Sequence, residues 1–137
     1  MARPKSAKAR KQRKFVRTAP LHIRRKLIAS HLQADIRKQY GVRSLPLRKG
    51  DEVAVMRGKF RKRSGKVSRI DTDKYRVYVE GVVVKRTDGT ERQAGLRASN
   101  LMITRLNLDD KRRAASIERH KTNVKKPKDA GKKKVKL

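Results

Sequence analysis

The sequence predicts a mainly β protein: one small barrel with an N-terminal helical extension, a short C-terminal helix and basic disordered tails. Three observations lead there. Between Pro46 and Leu106, apolar residues recur at two-residue spacing in short runs separated by glycine and aspartate; between Leu21 and Tyr40 they recur at three- and four-residue spacing. The charge is also one-sided, with 42 Lys+Arg against 12 Asp+Glu in 137 residues, a net +30 that is densest towards the two ends.

Residues 1–18 contain eight Lys/Arg and no acid. They hold too few apolar groups to offset the entropy of ordering, so an arm that orders only against a partner is expected, with Arg10, Lys11, Arg13, Lys14 and Arg17 as candidate contacts. Residues 19–47 read as a helical extension. Thr18 can cap a helix that Pro20 helps to start, the stripe Leu21, Leu27, Ile28, Leu32, Ile36 and Tyr40 continues it, and Gly41 ends it. Leu27, Leu32 and Ile36 are assigned to packing on the parent domain, which leaves Arg24, Arg25, Lys26, Arg37 and Lys38 on the opposite face.

From 48 to 108 the pattern is that of short strands: 52–57, 65–70, 76–79, 82–86, 92–95 and 101–106. Val53, Val55, Val67, Ile70, Val77, Val79, Val83, Leu101 and Ile103 are the expected core. Gly50, Gly58 and Gly65 are read as turn positions where positive φ lets the chain reverse, and Asp88-Gly89 as a hairpin of the primed type. Short antiparallel strands in about sixty residues suggest a barrel filled by its own side chains. Asp109 is expected to cap a last helix, within 109–122, running to about His120, and 123–137 to form a Lys-rich tail.

Such a charge needs a polyanion. Neither end carries an apolar face opposite its cations, so nucleic acid is the expected partner, with Arg48, Lys49, Arg112 and Arg113 as further candidate contacts. The tightest cluster is Arg57, Lys59, Arg61, Lys62, Arg63 and Lys66, set in a loop between two strands. Arginine can grip phosphate with a planar fork, whereas lysine offers a point charge. With two Phe, three Tyr and no Trp, the chain is too poor in aromatics to stack successive bases, so recognition of RNA by backbone and shape is expected. Phe60, inside the basic loop, has two readings: stacking on a base, or packing on the barrel rim.

Other functions find little support. His22, His31 and His120 are scattered without metal spacing; Asp71 and Asp73 flank a polar loop without partner carboxylates; Gly65-Lys66 is followed by Val67, so it lacks the rest of a phosphate-binding loop. No enzyme, cofactor or metal is expected. The chain has no cysteine, no apolar run of membrane-spanning length and no apolar secretory segment, and the basic amino end reads as an RNA-binding arm in preference to a transit peptide.

The stretch RKGDEVAVMRGKFRKRSGKVSRID, from Arg48 to Asp71, resembles a KOW motif, the strand–loop–strand unit of SH3-like barrels in ribosomal proteins and transcription elongation factors. Upstream, Ala19-Pro20-Leu21-His22-Ile23-Arg24, Tyr40-Gly41 and Arg43-Ser44-Leu45-Pro46 are similar to the extension of one universal large-subunit ribosomal family, archaeal and eukaryotic type, called L-twenty-six in eukaryotes and L-twenty-four in bacteria. Downstream, Glu80-Gly81, Lys85 to Glu91, Ser99-Asn100-Leu101-Met102-Ile103 and Leu108-Asp109-Asp110 continue it, so the likeness runs over roughly positions 3 to 120. Two departures stand out. Lys62 occupies a position usually held by a second loop glycine, and Ala98 replaces a proline before the Ser-Asn pair, which implies a looser turn there.

The resemblance implies a structural, rRNA-binding protein that scaffolds early assembly near the polypeptide exit tunnel. Its partners would be large-subunit rRNA and neighbouring ribosomal proteins, with no small-molecule substrate, no membrane insertion and no homo-oligomer. It also implies a cytoplasmic ribosome, with nucleolar assembly if the source is eukaryotic. A regulatory KOW module that binds RNA polymerase rarely needs basic arms at both ends, and a histone-like DNA compactor leaves the barrel unexplained.

Overall fold

The computed structural model describes residues 4–124; the Lys-rich tail lies outside them from residue 125 onward. Eleven elements follow in chain order: α1 (Ala9–Thr18), α2 (Leu21–Leu27), β1 (Ala29–Leu32), α3 (Ala34–Tyr40), β2 (Ser44–Pro46), β3 (Glu52–Val55), β4 (Ser64–Asp71), β5 (Arg76–Lys85), β6 (Glu91–Leu96), β7 (Leu101–Arg105) and α4 (Lys111–Val124). The strands form one seven-stranded sheet in the order β2-β1-β7-β3-β4-β5-β6, antiparallel throughout except for β1 against β7. β4 pairs with β3 through its first residues and with β5 through its last, with a register shift between Val67 and Arg69. A strand shared in this way turns the sheet back over itself, and the buried Val53, Val55, Val67, Val77, Val79, Leu101 and Ile103 fill the interior as in a small barrel.

Two of the expected core positions move. Ile70 is only half-buried, and Val82 replaces Val83 inside. The cause of the second is Gly81, which takes φ +75° in the middle of β5 while the β5–β6 register shifts between Tyr78 and Val83. From Tyr78 to Val83 β5 advances five residues while β6 advances two, from Gly95 to Gln93, and the odd excess of three reverses which side chains face inward from there on. What looked like two strands, 76–79 and 82–86, is therefore one long bulged strand.

The helix expected from Pro20 to Tyr40 is broken. Ile28, Ser30 and Leu32 are buried while His31 is exposed, which is strand alternation, and β1 pairs with both β2 and β7. The four-residue spacing of Ile28, Leu32 and Ile36 fits either periodicity. Ser30 marks the strand, because its hydroxyl donates to the buried Ala98 carbonyl (2.5 Å), a partner that only this register supplies. Ala98 also closes a 3₁₀ turn in which Asn100 N–H donates to the Arg97 carbonyl (3.0 Å), so the turn is hydrogen-bonded and not loose. The basic arm is corrected too: residues 9–18 are helical because Phe15 is buried and anchors them, and Tyr75 Oη donates to the Val16 carbonyl (2.6 Å).

Glycines act by two mechanisms. Gly50 (φ +88°) and Gly58 (φ +96°) sit in the left-handed region as expected. Gly65 does not; a Cβ there would meet the Glu80 carbonyl oxygen at 2.5 Å, so its role is close backbone approach between β4 and β5. At the β5–β6 turn only Gly89 has positive φ (+76°), and Arg86 N–H donates to the Thr90 carbonyl (3.0 Å) across a three-residue loop, so Asp88-Gly89 is not a primed two-residue turn.

α4 begins one residue later than expected. Asp110, not Asp109, is the cap, accepting from Arg112 N–H (2.8 Å). The helix is fixed by its third residue: Arg113 is buried and grips the fully buried Asp51 through two bonds, of 2.6 and 2.8 Å. Substituting Asp51 by alanine strands that guanidinium in the interior and is expected to cost about 3–5 kcal/mol in urea unfolding. Removing Glu91 from its exposed pair with Lys85 should cost less than about 1 kcal/mol in the same measurement. Gly65→Ala is expected to destabilise by about 1–3 kcal/mol through overpacking.

Candidate nucleic-acid interface

The β3–β4 loop is held at both ends by the sheet and in its middle by its own backbone. Val55 N–H donates to the Arg63 carbonyl (2.8 Å) and Lys62 N–H to the Val55 carbonyl (3.0 Å); inside the loop, Arg61 N–H reaches the Gly58 carbonyl (3.0 Å) and Arg63 N–H that of Phe60 (3.2 Å). Met56 N–H, at its base, donates to the Asn100 carbonyl (2.8 Å). These five backbone bonds brace the loop, whose Arg57, Lys59, Arg61, Lys62 and Arg63 are all exposed, as is Lys66 on the adjoining β4.

Lys62 carries φ +72°, the left-handed conformation that glycine adopts freely and other L-residues adopt at a cost of about 1–2 kcal/mol. The loop tip is thus the shape a glycine would give, with a cation kept on it. Phe60 is half-buried and packs against the core cluster, the rim contact that one of its two readings expects. Arg63 lies 5.4 Å from the centre of the Phe60 ring, and its guanidinium also donates to the Gly81 carbonyl (3.3 Å). Phe60 therefore supports the loop and positions one of its arginines.

The remaining candidates divide. Arg10, Lys11, Arg13, Lys14 and Arg17 are exposed along α1, a row of cations now on a fixed helix. Arg24, expected to face RNA, is occupied within the protein: Nε donates to the Ala19 carbonyl (2.7 Å), another nitrogen to the Arg17 carbonyl (3.0 Å), and a third bonds Asp73, so it ties α1 and α2 to the β4–β5 turn. Arg113 is corrected outright. Its side chain is 6% exposed and bonds Asp51, Asn107 and Pro46, leaving nothing for a ligand. Arg112 beside it is exposed, as are Arg25, Arg48 and Lys49, with Arg48 paired to Asp110.

The sequence pattern hid Asp51 and Arg113, because a charged pair at zero and 6% exposure looks in sequence like two more surface charges. Arg69, on β4, was also missed; it is exposed and its guanidinium lies 4.6 Å from the centre of the Tyr78 ring. The paired acids Asp71 and Asp73 have structural duties. Asp71 Oδ1 accepts from the backbone of Asp73 and of Lys74 (both 3.0 Å), and the Lys74 bond foremost holds the carboxyl below the usual carboxylate range. That turn is favoured above the ordinary carboxylate pKa and loses this support as the pH falls through the lowered value.

Residues 6–120 match the family described as ribosomal proteins L26 of eukaryotes and their archaeal L24 counterparts. The large ribosomal subunit protein uL24 of Korarchaeum cryptofilum is 41% identical over 120 residues, covering 88% of this chain and 92% of that protein. The protein of the same name from Methanosphaera stadtmanae is 42% identical over 114 residues, covering 83% and 97% respectively. Lys62→Gly is expected to stabilise the fold by up to about 1 kcal/mol in urea unfolding, since the strain goes while the backbone bonds remain. A loss of stability would mean that the Lys62 side chain makes a contact worth more than its strain.

Proposed function

Since the chain belongs to the family of eukaryotic L26 and archaeal L24 ribosomal proteins, we propose that it binds large-subunit rRNA through phosphate and shape contacts. Membership makes it a structural constituent of the large ribosomal subunit and not an enzyme. The observation that carries the RNA reading is the β3–β4 loop, in which five exposed cations, with Lys66 beside them on β4, project from a backbone braced by hydrogen bonds. Fixed cations meet phosphates without losing backbone entropy on binding, so more of the attraction appears as affinity. The exposed cations of α1 extend the contact along the barrel, and neighbouring ribosomal proteins take other surfaces.

In this reading the protein acts as a scaffold. It neutralises phosphates of rRNA helices that repel one another and fixes their spacing early in assembly. The proposal also includes residence near the exit tunnel, in cytoplasmic ribosomes and in a nucleolus during assembly if the source is eukaryotic, a reading that the family likeness supports.

Titrating the full chain with rRNA fragments over a range of salt tests it. Arg61→Ala is expected to weaken binding about equally for all sequences and to lower the slope of log affinity against log salt by roughly one unit. A loss confined to one sequence, or an unchanged slope, would contradict backbone recognition. Phe60→Ala should weaken the same binding by loosening Arg63, with Arg63→Ala adding little further in the double variant; full additivity would separate the two residues.

A further inference from the structure

A groove of about 780 Å³ lies between α2, the β2–β3 connection and β4, away from the β3–β4 loop. Its floor is apolar, built from Ile28 and Leu47 with the half-buried Ile70 and, on the rim, Leu21, which is 50% exposed. Five cations also line it, Arg25, Lys26, Arg48, Lys49 and Arg69, and among the described residues no carboxylate does. Of these five, only Arg48 has an acidic partner among the described residues, Asp110.

Phosphate backbone alone would satisfy the rim and leave the floor uncovered, while an apolar side chain alone would fill the floor and leave the cations unanswered. A nucleotide answers both, since its base is a flat apolar body with phosphates on either side. The volume lies in the range of about 300–1,000 Å³ typical of small-ligand clefts. We infer that this groove receives a single unstacked nucleotide of the bound RNA, its base against Leu21, Leu47 and Ile70 and its flanking phosphates held by Arg25, Lys49 and Arg69. The assignment rests on the rRNA reading above and adds to it a site for one unpaired residue. Arginine serves here in two ways, gripping phosphate by its edge or lying flat on a base.

The test uses the full chain and two RNA duplexes of equal length, one fully paired and one carrying a single extra nucleotide, followed by fluorescence anisotropy at fixed salt. About tenfold tighter binding of the bulged duplex is expected, from the worth of one stacked base. Leu21→Ser, an exposed change that leaves the core intact, should reduce that preference severalfold and leave the affinity for the paired duplex unchanged. Arg61→Ala, in the other site, should weaken both equally. Equal affinity for the two duplexes with a normal salt slope overturns the groove assignment while the rRNA reading stands, and binding to neither overturns both. Tighter binding of an acidic peptide of alternating Glu and Leu than of the bulged duplex would assign the groove to a protein partner and likewise overturn it.

Discussion

A carboxylate with no exposure to water sits at the base of the β3–β4 hairpin, and most of the molecule is arranged around keeping it satisfied. Asp51 accepts the two Arg113 bonds, one from Arg48 N–H (2.8 Å) and one from Asn107 N–H (3.0 Å). Those four donors come from the turn before β3, the exit of β7 and the first turn of α4. Arg113 also donates to the Pro46 carbonyl (3.2 Å), adding the end of β2. A buried charge is tolerable only when its lone pairs are filled, so the pair dictates geometry even where its net contribution to stability is small. The fixed point lies directly before β3, the strand that launches the basic loop.

That arrangement explains how a chain of net charge +30 holds a compact domain. Apolar contacts occupy the interior of the bent sheet, and the acids that face structure are few and placed at junctions: Asp51 under the hairpin, Asp73 against Arg24, Asp110 at the start of α4. Each holds a cation in place while, among the described residues, the great majority of Lys and Arg remain exposed. Under the proposed rRNA binding, phosphates around those exposed charges would relieve their repulsion and couple the protein's stability to the RNA.

The barrel was legible because period-2 alternation in 52–55, 66–70 and 76–79 has no helical counterpart, and because Asp88-Gly89 and Gly58 punctuate it. The extension was not. Ile28, Leu32 and Ile36 fit a helix by spacing, and it is the pairing of β1 with β2 and with β7, the latter some seventy residues away in sequence, that makes 29–32 a strand, an instance of tertiary context overriding local propensity. The cationic loop was visible as a candidate site from composition, yet its internal bracing was not, since that depends on backbone bonds and on Phe60 packing inward. Arg24 and Arg113 misled for one reason: a residue type says that charge is present and says nothing of the acid waiting across the fold.

If preformed loop cations meet rRNA phosphates, the loop lysines should change reactivity with the state of the subunit. Differential acetylation of Lys59 and Lys62, with Lys66 beside them on β4, read by mass spectrometry in the free chain, in intact large subunits and in subunits digested with nuclease, measures this directly. Strong protection in the intact subunit that disappears on digestion is the expected result. Equal reactivity in all three states would contradict a loop that grips RNA.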